Sequence, residues 1–308
     1  MSKQAWVFPG QGSQTLGMLS DLAAENTSIH TTFEQASNVL GYNLWDVTQN
    51  DEQKLNQTHI TQPALLAASY AIYTLLVEKG VSAPAYMAGH SLGEYSALVC
   101  AGAIDFADAI KLVEARGQFM QQAVPAGVGA MYAIIGLDDD KVMSSCNQAQ
   151  LSTNEIVAAV NFNSPGQIVI AGNKSAAEVA AELCIEQGAK RALPLAVSVP
   201  SHCALMKPAA EQLERLLKEI TIHTPKIPVI NNVDVASPTV PEEIKQALIE
   251  QLYSPVRWTE TITKLAKLEV DSLLEVGPSK VLTGLTKRID KRISCTAINT
   301  VESINSLI

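Results

Sequence analysis

The pentapeptide Gly89-His90-Ser91-Leu92-Gly93 constrains this chain more than any other feature. A short apolar run ends at Gly89, and a helix-like run follows from Glu94 to Ala101. G-x-S-x-G between a strand and a helix is typical of a nucleophile elbow, whose sharp turn exposes the serine hydroxyl above a sheet. The glycines are needed because neighbouring backbone passes close to this strained turn. Ser91 is therefore a candidate nucleophile, and an ordinary Gly/Ser turn is the alternative.

Composition describes a globular protein with a large core. The chain has 308 residues, of which 47% are hydrophobic and 17% charged. We find no apolar run that approaches the ~20 residues needed to cross a bilayer, and no signal-peptide pattern at the N-terminus. The net charge of −9 argues against a nucleic-acid surface as the main function.

The five cysteines lack C-x-x-C spacing, which is typical of reduced thiols, so we expect a cytoplasmic protein. The histidines are not spaced as metal ligands, and we expect no metal site.

Strand-like and helix-like segments alternate along most of the chain, which predicts a mostly parallel sheet covered on both faces. Between Pro125 and Pro200 the order is β-α-β-β-α-β, the ferredoxin-like split unit. Its last strand is predicted over 192–197, and a Ser175…Glu178 capping box opens its second helix. We therefore predict an α/β fold in which residues 1–124 and 199–308 form a large hydrolase-like domain. Residues 125–198 form a smaller inserted ferredoxin-like α+β domain.

Arg116 lies on the apolar stripe of a helix predicted from an N-cap at Asp105 to about Ala123. An unpaired buried charge is costly, so this arginine needs a carboxylate partner. Three interpretations are open: a structural salt bridge within the protein, an aliphatic stem that carries the charge outward to solvent, or the carboxylate of a ligand.

Three other segments carry candidate chemistry. His202 follows a strand end, and it is the best-placed base for Ser91, whose hydroxyl is a weak nucleophile by itself. The loop from Pro9 to Gln14 is either a tight turn or a source of backbone N–H groups for an anion. A long apolar helix is predicted from Thr61 to Val77, with Pro63 in its first turn.

Two basic clusters are either solvated surface or a docking site for an acidic partner. They are Lys287, Arg288, Lys291 and Arg292, and the pair Lys190 and Arg191.

Several longer blocks together resemble the acyltransferase family of fatty-acid and polyketide synthesis, specifically its discrete bacterial members. They are FPGQGSQ at 8–14, TQPAL at 61–65, GHSLGEYSAL at 89–98, Arg116, VNFNSPGQIVIAG at 160–172, PSHCALM at 200–206, NNVD at 231–234 and EVGP at 275–278. The blocks occur in the family's order and cover essentially the whole chain.

The resemblance implies a role for each matching position. Ser91 is the nucleophile and His202 its general base and acid, oriented by a backbone carbonyl near Gln251 rather than by a carboxylate. Backbone N–H groups of Gln11 and Leu92 form the oxyanion hole. The remaining roles concern the acyl group: Arg116 grips its free carboxylate, and Gln62 and Met120 line its pocket.

The resemblance also implies an activity: transfer of a malonyl group from malonyl-CoA to the phosphopantetheine thiol of acyl carrier protein, in fatty-acid synthesis. The cycle would be ping-pong, through a serine ester and without metal or redox cofactor. We expect a monomer that docks the acidic carrier protein on the basic clusters. The alternatives are a serine thioesterase or other hydrolase, a polyketide-pathway acyltransferase, and an inactive carrier-binding module.

Overall fold

The structure is a computed structural model that describes residues 3–196 and 199–308. The strands are β1 (Lys3–Phe8), β2 (Tyr86–Gly89), β3 (Gly129–Ile135), β4 (Val157–Ser164), β5 (Gln167–Asn173), β6 (Arg191–Pro194), β7 (Val229–Ile230), β8 (Val270–Val276) and β9 (Ser294–Ile298). The helices are α1 (Ser20–Glu25), α2 (Thr27–Leu40), α3 (Leu44–Asn50), α4 (Glu52–Leu55), α5 (Thr58–Glu78), α6 (Leu92–Cys100), α7 (Phe106–Ala123), α8 (Asp139–Thr153), α9 (Lys174–Glu186), α10 (Lys207–Leu217), α11 (Pro241–Gln251), α12 (Trp258–Lys267), α13 (Val281–Ile289) and α14 (Val301–Asn305).

The larger sheet is parallel and runs in the order β7-β2-β1-β8-β9. Both of its faces are buried: Trp6 and Phe8 of β1 join the core under α2, α5 and α7, while Ala5 and Val7 join the core under α12 and α13. Because the strands are parallel, their carboxyl ends lie at one edge. The segments that follow β1, β2 and β7 therefore meet there.

Helix α5 corrects two sequence predictions. It begins at Thr58, so Pro63 lies in the second turn rather than the first. It is also long and apolar enough to cross a membrane, which the sequence reading missed, but 78% of its most apolar window is buried inside the protein. It packs against α2, α6 and α7 as a central core helix.

The smaller sheet is antiparallel, in the order β4-β5-β3-β6, with α8 and α9 packed against it. This order confirms the predicted ferredoxin-like unit. The capping box was wrong: Asn173 holds the N-cap position of α9, and Ser175 Oγ donates to the Glu155 carboxylate instead. The domain limits at 125 and 198 stay a prediction, and the end of the predicted last strand, at 197, lies outside the described residues.

Strand β4 is hydrogen-bonded to α12 and to the segment that precedes it. The Phe162 amide donates to the Val256 carbonyl at 3.0 Å, and the Val256 amide to the Val160 carbonyl at 2.8 Å. From α12, Thr259 Oγ1 donates to the Phe162 carbonyl at 3.0 Å. These bonds fix β4 beside the carboxyl edge of the parallel sheet, with a cavity between the two.

Candidate active site

The turn between β2 and α6 has the geometry of a nucleophile elbow. Ser91 has φ 51° and ψ −109°, a backbone conformation that residues other than glycine rarely adopt. A Cβ atom on Gly89 would lie 1.9 Å from the Gly93 carbonyl carbon, and one on Gly93 would lie 2.0 Å from the Phe8 carbonyl oxygen. The two glycines are therefore required by close backbone contacts, and the turn presents Ser91 at the carboxyl edge of the sheet.

Ser91 and His202 form a hydrogen-bonded pair. Ser91 Oγ lies 2.8 Å from His202 Nε2, and His202 Nδ1 lies 2.7 Å from the main-chain carbonyl of Gln251. A carbonyl oxygen only accepts, so Nδ1 carries the proton and Nε2 is free to accept the Ser91 proton. Burial, with help from the positive charge of Arg116, lowers the pKa of His202 to about 3. The imidazole is therefore neutral, the form that a general base needs.

Arg116 lies beside the serine and is only 1% exposed. Its Nη1 donates to Gln62 Oε1 at 2.7 Å, and its Nη2 to Gln251 Oε1 at 2.9 Å and Ser91 Oγ at 3.3 Å. In the described ranges no carboxylate forms a salt bridge with it, and its Nε has no hydrogen-bond partner. The structural salt bridge that the sequence left open is thus absent there, and a cation faces the nucleophile. At the start of this helix, Asp105 holds the N-cap position but makes no capping bond.

Asn232 and Glu94, which the sequence reading gave no role, hold the elbow in place. Asn232 Oδ1 accepts from the Ser91 amide at 2.7 Å, and Asn232 Nδ2 donates to the Gly89 carbonyl at 2.7 Å. Glu94 Oε2 accepts from the Asn232 amide and from Gln251 Nε2, both at 2.9 Å. The sequence carries a signal for each of them. Asn232 belongs to a pair of asparagines at a predicted strand end, and Glu94 is an acidic residue within an otherwise apolar helix.

The cavity has a volume of about 580 Å³ and lies between the elbow and the open face of the smaller sheet. Most of the predicted site residues line it, namely Gln11, Ser91, Leu92, Arg116, Met120 and His202.

Two predicted residues lie behind the cavity wall. Gln62 is fully buried and contacts Arg116 and Met120 Sδ, and its place beside the acyl group stays a prediction. Gln251 is fully buried as well. Gln11 and Leu92 both line the cavity, and the oxyanion role of their amides stays a prediction.

His90, whose direction the sequence left uncertain, faces the smaller sheet. Its Nε2 lies 2.8 Å from Asn163 Oδ1 on β4, and burial lowers its pKa. Asn161, Asn163 and Gln167 place polar side chains on the wall opposite Ser91. That wall can bind the polar part of a substrate.

One residue of each basic cluster lies near the turn at 166–167, at the edge of this cavity. Arg288 Nη1 donates to Gln167 Oε1, and Gln167 lines the cavity. Lys190 packs on Gly136, whose amide donates to the Gly166 carbonyl at 2.7 Å. The two clusters therefore flank the turn at 166–167. Arg292 differs from the rest because it pairs with Asp290 at 2.6 Å.

A strained serine whose hydroxyl is hydrogen-bonded to a neutral histidine base, at the edge of a cavity, defines a site for acyl transfer through a serine ester. The buried guanidinium of Arg116 places a positive charge beside the nucleophile, where a negatively charged group would be favoured. The chain belongs to the acyl transferase domain family, which matches residues 5–303.

The relatives in this family are named more specifically. A malonyl CoA-acyl carrier protein transacylase of Haemophilus influenzae is 63% identical, covering 100% of this chain and 98% of that protein. One from Escherichia coli K12 is 58% identical, covering 97% and 96%. An acyl carrier protein S-malonyltransferase from Vibrio cholerae, whose crystal structure is known, is 60% identical in sequence. Its structure matches with a TM-score of 0.97, and the match covers 100% of both chains. The solved complex of a type II PKS acyl carrier protein with its malonyl-transacylase contains a chain that matches this one. That chain is 57% identical with a TM-score of 0.98, and the match covers 99% of both chains.

Proposed function

We propose that this enzyme transfers the malonyl group of malonyl-CoA to the phosphopantetheine thiol of acyl carrier protein. The observation that carries the proposal is the buried guanidinium of Arg116, 3.3 Å from Ser91 Oγ and without a carboxylate of its own among the described residues. A malonyl ester on Ser91 would place its free carboxylate within reach of that cation. The names of the relatives, at 58–63% identity over the chain, support the same substrate.

The reaction consists of two exchanges at one serine. His202 Nε2 takes the Ser91 proton while Oγ attacks the thioester carbonyl, and the tetrahedral oxyanion is stabilised by the amides of Gln11 and Leu92. The C–S bond then breaks, and His202 returns the proton to the leaving thiol of coenzyme A. The carrier-protein thiol enters next: His202 takes its proton, the thiolate attacks the ester, and the Ser91 alkoxide leaves and is reprotonated. The serine ester carries the acyl group throughout, so the cycle needs no metal or redox cofactor.

A serine hydrolase would use the same elbow, and single-turnover kinetics separate the two activities. Enzyme is mixed with malonyl-CoA and followed by intact-mass spectrometry. We expect a malonyl ester on Ser91 that persists until the carrier protein or another thiol is added. Rapid release of malonate without added thiol would establish the hydrolase instead. The Ser91→Ala variant is the control, because it can form no ester.

We further propose that the carrier protein docks on the two basic clusters at the cavity rim. The carrier proteins of this pathway are acidic, and opposite charge accelerates association with an enzyme that is itself acidic. Lys287, Lys291 and Lys190 are all exposed and lie in the clusters that flank the turn at 166–167.

Charge reversal tests the docking surface. Lys287→Glu with Lys291→Glu should lower kcat/KM for the carrier protein about tenfold at low salt, and much less at high salt. Loading from malonyl-CoA should change little. Lys79→Glu with Lys111→Glu reverses two exposed lysines of other elements as a matched control. Equal effects of the two double variants would exclude this surface.

The remaining assignments follow from the proposed activity. We place the enzyme in fatty-acid synthesis in the cytoplasm, acting as a monomer that meets its carrier protein transiently. A polyketide pathway would use the same reaction. Growth of a strain whose own malonyl transferase is depleted, restored by this gene, tests the fatty-acid assignment.

A further inference from the structure

Glu94 is a buried acid that the proposed reaction does not use. It lies in the first turn of α6, three residues after Ser91, and is 2% exposed. In the described parts of the chain it forms no salt bridge. Its charge is connected to Arg116 through one amide: Gln251 Nε2 donates to Glu94 Oε2, and Gln251 Oε1 accepts from Arg116 Nη2, each at 2.9 Å. The Gln251 amide thus presents its N–H donor to the Glu94 carboxylate and its carbonyl acceptor to the Arg116 guanidinium.

The ionisable groups around this amide balance one another in the free enzyme. Arg116 from α7 contributes one positive charge, and Glu94 contributes one negative charge. The other groups facing them are neutral or exposed: His202 and Tyr95 are uncharged, and the exposed carboxylate of Asp234, after β7, adds to the rise in the pKa of Glu94. Burial raises the pKa of Glu94 to about 7, with hydrogen bonds from Gln251 and Asn232 and the charge of Arg116 opposing the shift. Glu94 is thus poised to change its charge near neutral pH.

A substrate carboxylate disturbs this balance. With it bound, two buried anions share one guanidinium, and the cost of burying an uncompensated charge is high. The substrate carboxylate contacts the guanidinium directly, whereas Glu94 reaches it only through an amide. Glu94 is therefore the anion that is more easily neutralised.

We propose that Glu94 is the internal counter-charge of Arg116, and that it takes up a proton from solvent when the free carboxylate of an acyl group binds beside Arg116. This inference rests on the proposed function. Glu94 acts on the reaction through Gln251 and Arg116, so it is a positioning residue that also sets how tightly a carboxylated acyl group is held.

Isothermal titration calorimetry measures the proton directly. The Ser91→Ala variant, which binds without reacting, is titrated at pH 8 with malonyl-CoA and with acetyl-CoA, each in two buffers of different ionisation enthalpy. We expect malonyl-CoA binding to take up most of one proton more than acetyl-CoA binding does. Both ligands carry the same coenzyme A, so the difference belongs to the carboxylate.

A second variant assigns the proton to Glu94. Glu94→Gln in the Ser91→Ala background keeps an oxygen for both hydrogen bonds and removes the charge. We expect the extra proton uptake to disappear and malonyl-CoA to bind about tenfold more tightly at pH 8, because no group with a pKa of about 7 has to be protonated. By pH 6 this advantage should be lost.

Glu275→Gln is the matched control. Glu275 is a fully buried carboxylate that accepts hydrogen bonds from the first turn of α13, and its removal should leave the proton uptake intact. Equal proton uptake for the two ligands, or uptake that survives Glu94→Gln, would overturn the inference and leave the proposed function standing. A failure of malonyl-CoA to bind at all would overturn both.

Discussion

Arg116 is the residue that separates this site from other serine–histidine sites. Replacing it with alanine removes a charge-assisted, two-pronged contact to the acyl carboxylate. We expect kcat/KM for malonyl-CoA to fall about 100-fold, and the preference for malonyl over acetyl groups to fall with it. Competition between the two CoA esters, read by intact-mass spectrometry, measures this preference. Lys111→Ala on the exposed face of the same helix is the control, and an unchanged preference in Arg116→Ala would contradict the clamp.

His202 should make the free energy of unfolding depend on pH. Its pKa is lowered to about 3 in the folded protein, so below pH 6.5 the unfolded chain binds a proton that the native state does not. Stability from this residue is therefore lost as pH falls, by about 2 kcal/mol between pH 7 and pH 5. Glu94, whose pKa is raised, acts in the opposite direction over the same window.

Comparison of variants isolates the histidine. Urea unfolding from pH 5 to pH 7 should show a shallower loss of stability toward acid in His202→Ala than in the native protein. His223→Ala, which removes an exposed histidine, is the control. Parallel pH profiles for all three proteins would show that His202 is not held neutral.

At this scale the sequence, with its family resemblance, identified the reactive groups and the carbonyl near Gln251 that orients His202, but not the side chains that hold the elbow. Ser91, His202 and Arg116 carry motif or stripe signals that a single chain displays. The contacts of Gln251 and Asn232 with the elbow join residues more than a hundred positions apart, and no local pattern encodes such a pairing. The contact of Gln62 with Arg116 was not predictable for the same reason, because it depends on how α5 and α7 pack.

Among the elements, the elbow is the least tolerant of change. A Cβ atom on Gly93 would lie 2.0 Å from the carbonyl oxygen of Phe8, which belongs to the adjacent strand and is fixed by the sheet. We expect Gly93→Ala to lose at least about 3 kcal/mol of unfolding free energy, or to fail to fold.

Gly284 provides the matched comparison. It lies in α13, exposed, and a Cβ atom added there would contact nothing within 4 Å. Gly284→Ala should stabilise the protein by about 0.5 to 1 kcal/mol, because alanine favours the helix. Thermal unfolding of both variants checks the pair, and similar shifts in Tm would contradict the close contact at Gly93.

Sequence patterns placed most elements correctly and missed where some of them begin. Strong periodicity locates a helix interior, whereas its first residue depends on which group caps it. Helix α5 begins after Gln57, whose carbonyl accepts the amides of Ile60 and Thr61, so the proline signal at 63 pointed to the wrong turn. Ser175 could have capped α9, but a nearby Glu155 carboxylate offered a stronger partner.

In the molecule as a whole, the cavity depends on how β4 is held against the parallel sheet. Thr259 Oγ1 crosses from α12 to the Phe162 carbonyl, while Thr263 Oγ1, one turn later, bonds within its own helix. We expect Thr259→Ala to speed hydrolysis of the malonyl ester several-fold by loosening this wall, and Thr263→Ala to leave the rate unchanged. The decay of the isolated ester, followed by mass spectrometry, gives both rates, and equal rates would remove this role from β4.

The order of elements allowed both sheets to be predicted, because alternation of strands and helices and the split β-α-β-β-α-β unit are local patterns. The meeting of Lys190 and Arg288 at one rim was not predictable in this way. Lys190 precedes β6 of the smaller sheet and Arg288 lies on α13, and only the packing of α13 against the smaller sheet brings both near the turn at 166–167.

The carbonyl that orients His202 belongs to the main chain of Gln251. Every amino acid that the genetic code can place at position 251 has the same carbonyl. A library of all substitutions at this position therefore tests the side-chain amide and its contact with Arg116. It does not test the main-chain carbonyl that orients His202. Where other serine enzymes lose their orienting group to one nucleotide change, this one encodes it in a part of the polypeptide that codon changes do not remove.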